Sequence, residues 1–139
     1  MGGKPVYRRP LVMAAAVLVL AGVVWLLFLR DGTPALSPDE ARQKATAFLD
    51  DVRAGRADDA WAGTSADFKS MYGRERFRQF VKSKPVLKGP AEFQACEFKT
   101  NGDLRVAECT FRPAHGRGSI TVVLNVDQGV WKVGRLDVE

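Results

Sequence analysis

Residues 92–112 read EFQACEFKTNGDLRVAECTFR, and this stretch decides the fold. On either side of Thr100-Asn101-Gly102-Asp103 the residues alternate in character. Cys96 and Phe98 are offset by one from Glu97 and Lys99, and Cys109 and Phe111 from Glu108 and Thr110. A period of two marks strands with one buried face, and an Asn-Gly-Asp run between two of them marks a hairpin. Strands are therefore expected over 92–99 and 104–112.

The alternation continues towards the C-terminus. Ile120, Val122, Leu124 and Val126 interleave with Ser119, Thr121, Val123 and Asn125, giving a third strand over 118–126. Asp127-Gln128-Gly129 is a tight turn, and 130–138 is a fourth strand. In that strand Trp131 and Val133 are expected on one face, with Val130, Leu136 and Val138 mostly on the other.

Before residue 92 the period changes. Ser37-Pro38-Asp39-Glu40 combines a cap, a first-turn proline and a capping-box acid. Ala41, Ala45, Phe48, Leu49 and Val52 then line one helical face, and Gly55 closes the helix. Shorter helices are expected over 57–62 around Trp61, over 65–71 with Phe68 and Met71, and over 74–82 with Phe77, Phe80 and Val81. Pro85 ends the last of these by about Ser83. Helices followed by a four-strand antiparallel meander make an α+β domain over residues 37–139, with the helices on one face of the sheet.

Residues 11–29, LVMAAAVLVLAGVVWLLFL, carry no charged side chain. As a helix these 19 residues would be about 28 Å long, close to the thickness of a bilayer core. They are expected to form a transmembrane helix, with Trp25 and Phe28 near its outer end. Lys4, Arg8 and Arg9 precede the run with no acidic residue, so the basic tail 1–10 is expected in the cytoplasm and the domain across the membrane. Residues 30–36 would be a linker. A cleaved signal peptide is the competing reading, but its apolar core is usually shorter and no Ala-x-Ala follows this one. No cysteine follows the run either, which excludes a lipid anchor there. The expected location is the inner (plasma) membrane, with the domain periplasmic or extracellular.

The net charge of +5 does not point to nucleic acid. Three basic residues precede the apolar run, and from Arg30 onward 18 basic residues meet 16 acidic ones. The basic residues are instead clustered. Lys69, Arg74, Arg76, Arg78, Lys82, Lys84 and Lys88 fall within one short segment that holds only Glu75 as an acid. They would form a solvated helix face, or else meet anionic lipid headgroups or an acidic partner.

The run ARQKATAFLDDVRAGRADDAWAGTSADFKSMYGRERFRQFV, followed by strands ending GVWKVGRLDV, resembles the cystatin-like, nuclear-transport-factor-two-like superfamily. Membrane-anchored bacterial members of unknown function are the nearest in character. The likeness spans roughly residues 37–138. It rests on Ala54-Gly55-Arg56, Ala60-Trp61, Ser65-Ala66-Asp67-Phe68 and Trp131. It implies a curved sheet wrapped on helices as a cone with an apolar pocket. The superfamily holds enzymes, binders and assembly scaffolds, so the fold alone assigns no function. Phe48, Trp61, Phe68, Phe77, Phe80, Phe98, Phe111 and Trp131 are the candidate pocket or core residues.

Cys96 and Cys109 are the only cysteines. A turn centred on Gly102-Asp103 would set them opposite one another. A turn at Asn101-Gly102 would set Cys96 against Ala107 and leave the cysteines diagonal. Export favours a disulfide, and two buried thiols are the alternative. His115 is the single histidine, in a turn-rich loop with no orienting carboxylate nearby, and two cysteines with one histidine lack the spacing of a metal site. Enzymes of the superfamily use an acid in the pocket. Glu97 and Glu108 would serve only if their face were the concave one; otherwise they pair with Lys99 and Arg105. The expected function is non-catalytic, with no cofactor. A bitopic protein would present a binding domain to a partner protein or apolar ligand. The alternatives are a scaffold subunit of an envelope complex and a small lyase or isomerase of the polyketide-cyclase type.

Overall fold

The structure, a computed structural model, describes Gly2 and residues 34–139. The expected transmembrane helix over 11–29 and the basic tail before it lie outside these described residues. Among those described, no helix is long and apolar enough to cross a membrane.

Four α-helices come first: α1 (Pro38–Arg53), α2 (Ala57–Ala62), α3 (Ala66–Met71) and α4 (Arg74–Ser83). A 3-10 turn follows at Pro85–Lys88, which the sequence reading did not include. The strands are β1 (Ala91–Asn101), β2 (Leu104–Pro113), β3 (Ile120–Asp127) and β4 (Val130–Val138). They form one antiparallel sheet in the order β1-β2-β3-β4. The domain is α+β, helices then meander.

The capping box at α1 is complete. The Glu40 amide donates to Ser37 Oγ at 3.2 Å, and the Ser37 amide donates to Glu40 Oε2 at 3.0 Å. Two amides that the first turn leaves unpaired are thereby satisfied. At the other end the chain leaves through Gly55 at φ 79°, the left-handed conformation in which a Cβ would be strained. Ser65 caps α3 by accepting from the Phe68 amide.

The apolar stripe of α1 lies over the sheet. Phe48, Phe68 and Phe77 meet at centroid separations of 5.3–6.2 Å, with edge-on geometry at two of the three contacts. Beneath them lie Ala107, Cys109 and Phe111 of β2, Ile120, Val122 and Leu124 of β3, and Trp131, Val133 and Leu136 of β4. Truncating one such phenylalanine costs about 3–5 kcal/mol, against under about 1 kcal/mol for an exposed ion pair. Packing therefore holds this domain, and its surface charges contribute little.

Two local expectations change. β4 keeps Val130 off the buried face, as expected, but Leu136 and Val138 join Trp131 and Val133 on it. Leu124 pairs with Val133 and Val123 with Arg135, so Gly134 is an extra residue in a bulge. The bulge resets the alternation and turns Leu136 inward with Trp131 and Val133. The second change concerns the segment read as linker. Leu36 packs against the core, and the Trp131 indole donates to the Pro34 carbonyl at 2.7 Å. Pro34–Leu36 therefore belongs to the domain.

Candidate functional site

The candidate pocket aromatics are distributed through the core. Phe48, Phe68, Phe77, Phe111 and Trp131 are buried, and Trp61 and Phe80 are partly so. Among the described residues they fill the space between helices and sheet. Phe98 is the exception: it is not a core residue and lines a surface cleft with Pro34, Leu36 and Trp131 instead. It is 47% exposed, because β1 is an edge strand and Phe98 sits opposite the small Ala107 near the strand's end.

The basic cluster is divided among four environments. Lys69 and Arg74 lie over the Trp61 ring, at 5.2 and 5.0 Å from its centroid. That indole donates to the Tyr72 carbonyl at 2.7 Å, and Lys69 Nζ to the Ala62 carbonyl at 2.9 Å. Lys69 thereby joins α3 to the end of α2, and Arg74, the first residue of α4, lies over the same α2 indole. Arg76 is exposed. Lys84 flanks a shallow depression with Tyr72, Phe80 and Leu136. The remaining three, Arg78, Lys82 and Lys88, line a groove.

This groove, of about 630 Å³, lies where the end of α1, α2, α4 and the 3-10 turn converge. Val52, Ala57 and Val81 supply its apolar floor. Arg53, Arg56, Arg78, Lys82 and Lys88 surround it, against Asp58 and Asp59. Some of these charges are committed. Arg53 pairs with Asp50, and Arg56 Nη2 with Asp51 at 2.8 Å. Arg78 grips Asp58 through both carboxylate oxygens, with Nε donating at 2.6 Å, and reaches Glu75 at 2.9 Å. The Arg78 hydrogen bonds hold the Asp58 carboxyl below the usual carboxylate range, and burial opposes them. Lys82 and Lys88 are exposed and make no ion pair among the described residues. The groove therefore offers an apolar floor and two uncommitted ammonium groups, a combination suited to an acidic ligand that also carries apolar groups. The sequence reading found Arg78, Lys82 and Lys88 but missed Arg53 and Arg56, which lie outside the basic run and join it only through the α1–α2 turn.

Across the sheet, Cys96 and Cys109 lie directly opposite, with Cα atoms 4.1 Å apart, and are joined in a disulfide. The turn is centred on Gly102-Asp103, since Asn101 pairs with Leu104. On the other face Glu97 and Glu108 also lie opposite one another. Lys99 Nζ donates to Glu108 at 2.6 Å and lies 3.7 Å from Glu97. The Glu108 contact raises the Lys99 pKa above its ordinary value. Arg135, at 3.8 Å from Glu108, takes the second place expected for Arg105. His115 is exposed in the β2–β3 loop. Among the described residues no cluster of His, Cys, Asp or Glu is arranged to hold a metal.

No family model matches this chain, and neither does any curated protein sequence or solved structure.

Proposed function

We propose that this chain is a single-pass membrane protein whose domain binds a partner protein outside the cytoplasm. The anchor is residues 11–29, with the N-terminus in the cytoplasm and the protein in the inner (plasma) membrane. The groove between α1, α2, α4 and the 3-10 turn carries the binding half of this reading, because it joins an apolar floor to the exposed Lys82 and Lys88. The partner presents an acidic segment with an apolar side chain to it. The order of helices followed by four antiparallel strands supports the cystatin-like, nuclear-transport-factor-two-like resemblance as the frame of this reading.

A scaffold role in an envelope complex is the second reading. The filled interior favours it, since Phe48, Phe68 and Phe77 occupy the volume where a small ligand would sit in a cone. A lyase or isomerase of the polyketide-cyclase type is the least supported. Glu97 and Glu108 lie on the outer face of the sheet beside Lys99, whereas a proton-abstracting acid works in a water-shielded pocket.

A photo-crosslinking side chain at Ala57, on the groove floor, tests the binding reading in membranes. The expected result is one discrete adduct, absent when the same group stands at Ala114 and lost in Lys82→Glu/Lys88→Glu. An adduct indifferent to the charge reversal, or none, counts against the groove. Labelling of Ala114→Cys by a membrane-impermeant maleimide in intact spheroplasts tests the topology, and protection until lysis would reverse it.

A further inference from the structure

Among the described residues four large apolar side chains are left exposed, and all but Met71, at the end of α3, gather in one place. Phe98, Leu104 and Val130 are 47%, 67% and 50% exposed. All three lie at one end of the sheet, the end that carries the Gly102-Asp103 and Gln128-Gly129 turns. Leu104 pairs with Asn101 and Val130 with Asp127, so both sit in the last row of the sheet. Phe98 is three residues before Asn101 on the inner face. The chain enters the domain at this same end. The Trp131 indole, one residue beyond Val130, holds the Pro34 carbonyl. Pro34, Leu36, Phe98, Arg105, Val106 and Trp131 line a cleft of about 330 Å³ there. Arg105 in that cleft is exposed and makes no ion pair among the described residues.

We propose that this end of the sheet docks on the membrane surface. Leu104, Val130 and Phe98 enter the headgroup layer, and Arg105 meets an anionic lipid phosphate. The inference rests on the anchor reading of residues 11–29. Given that anchor, the tether selects the occupant. Pro34 is five positions beyond Leu29, so it lies within about 18 Å of the end of the apolar run. The headgroup layer takes up about 5–8 Å of that reach. The end of the domain next to Pro34 is therefore held at the bilayer surface, and the groups exposed there have the character interfacial contacts use: bulky apolar side chains beside a cation. Three large apolar groups gathered at a single end otherwise have no cover.

The full chain, reconstituted in vesicles of phosphatidylglycerol and phosphatidylcholine, tests this. A thiol-reactive environment-sensitive fluorophore is placed singly on Leu104→Cys, Val130→Cys, Ala114→Cys and Ala21→Cys. Cys96 and Cys109 are bonded to one another and do not compete for label. The docking predicts a blue shift at Leu104→Cys and Val130→Cys, and quenching there by lipids carrying a spin label near the headgroup. It predicts neither at Ala114→Cys, in the loop at the far end of the sheet. Ala21→Cys reports the anchor through quenching by lipids labelled deep in the chain. Deep quenching at Ala21→Cys with none at Leu104→Cys or Val130→Cys overturns the docking and leaves the anchor standing. Equal shallow quenching at Ala114→Cys overturns the orientation and with it the proposal. No quenching at any of the four positions overturns anchor and docking together.

Discussion

The indole of Trp131 donates its N–H to the carbonyl of Pro34 at 2.7 Å, joining positions 97 residues apart. Trp131 is 6% exposed, so its ring packs in the core while its N–H ties down the incoming chain. Trp131→Phe keeps most of the packing and leaves the carbonyl without this donor. The expected cost is about 1 kcal/mol, or a fall of about 4–8 °C in Tm for a domain of this size, read by thermal unfolding of the intact protein. An unchanged Tm would mean that water replaces the bond without loss.

The disulfide closes a short loop, since Cys96 and Cys109 are 13 residues apart. Chain-entropy reasoning gives such a closure about 3 kcal/mol. Reduction with dithiothreitol, or Cys96→Ala/Cys109→Ala, is expected to lower the denaturation midpoint with little change in the slope of the transition. The two treatments should agree. A loss confined to the double variant would instead point to the packing of Cys109, which is fully buried.

Gly134 and Asn125 form a tight pair. A Cβ on Gly134 would come within 2.5–2.7 Å of the Asn125 amide group. Asn125 Oδ1 is itself buried and has no hydrogen-bond partner among the described residues. Gly134→Ala is expected to cost about 1–3 kcal/mol by overpacking. Asn125→Ala empties that space and removes the unsatisfied oxygen, so the pair Asn125→Ala/Gly134→Ala should recover much of the loss. A double-mutant cycle by chemical denaturation measures the coupling, and simple additivity would refute the contact.

Two ion pairs predict opposite pH dependences. The hydrogen bonds from Arg78 hold the folded Asp58 pKa below its unfolded value. Its stabilisation is complete above the ordinary carboxylate range and is lost as pH falls through the folded value, below about pH 4. Contact with Glu108 raises the Lys99 pKa. That stabilisation is complete below the ordinary lysine range and is lost as pH rises through the folded value, above about pH 10. Asp58→Asn should flatten only the acid limb of stability against pH, and Lys99→Gln only the alkaline limb. Both groups are exposed, so the effects are small.

The elements of this domain were legible because each is written locally. Ser37-Pro38-Asp39-Glu40 marks a helix start through atoms three residues apart, and the alternation in 92–112 marks strands one residue at a time. The bulge at Gly134 was not legible, because an extra residue is defined only against β3. Without it, Leu136 counts onto the wrong face. The cysteine register was open for a related reason. Thr100-Asn101-Gly102-Asp103 permits two turns one residue apart, and the pairing along the rest of β1 and β2 selects Gly102-Asp103.

The sequence by itself determined the class, helices then a four-strand meander, because capping chemistry and side-chain periodicity act over a few residues. It also marked residues 11–29 as the one stretch suited to a bilayer, since hydropathy is a sum over neighbours. Only the tertiary structure decided which charges share a groove and which apolar residues remain exposed. Arg53 and Arg56 join Lys82 and Lys88 because α1 and α4 converge, and Arg78 is withdrawn because Asp58 meets it across that convergence. Phe98, Leu104 and Val130 come together because two hairpin turns lie at one end of the same sheet. Such groupings depend on which distant segments pack against each other, and no local pattern carries that information.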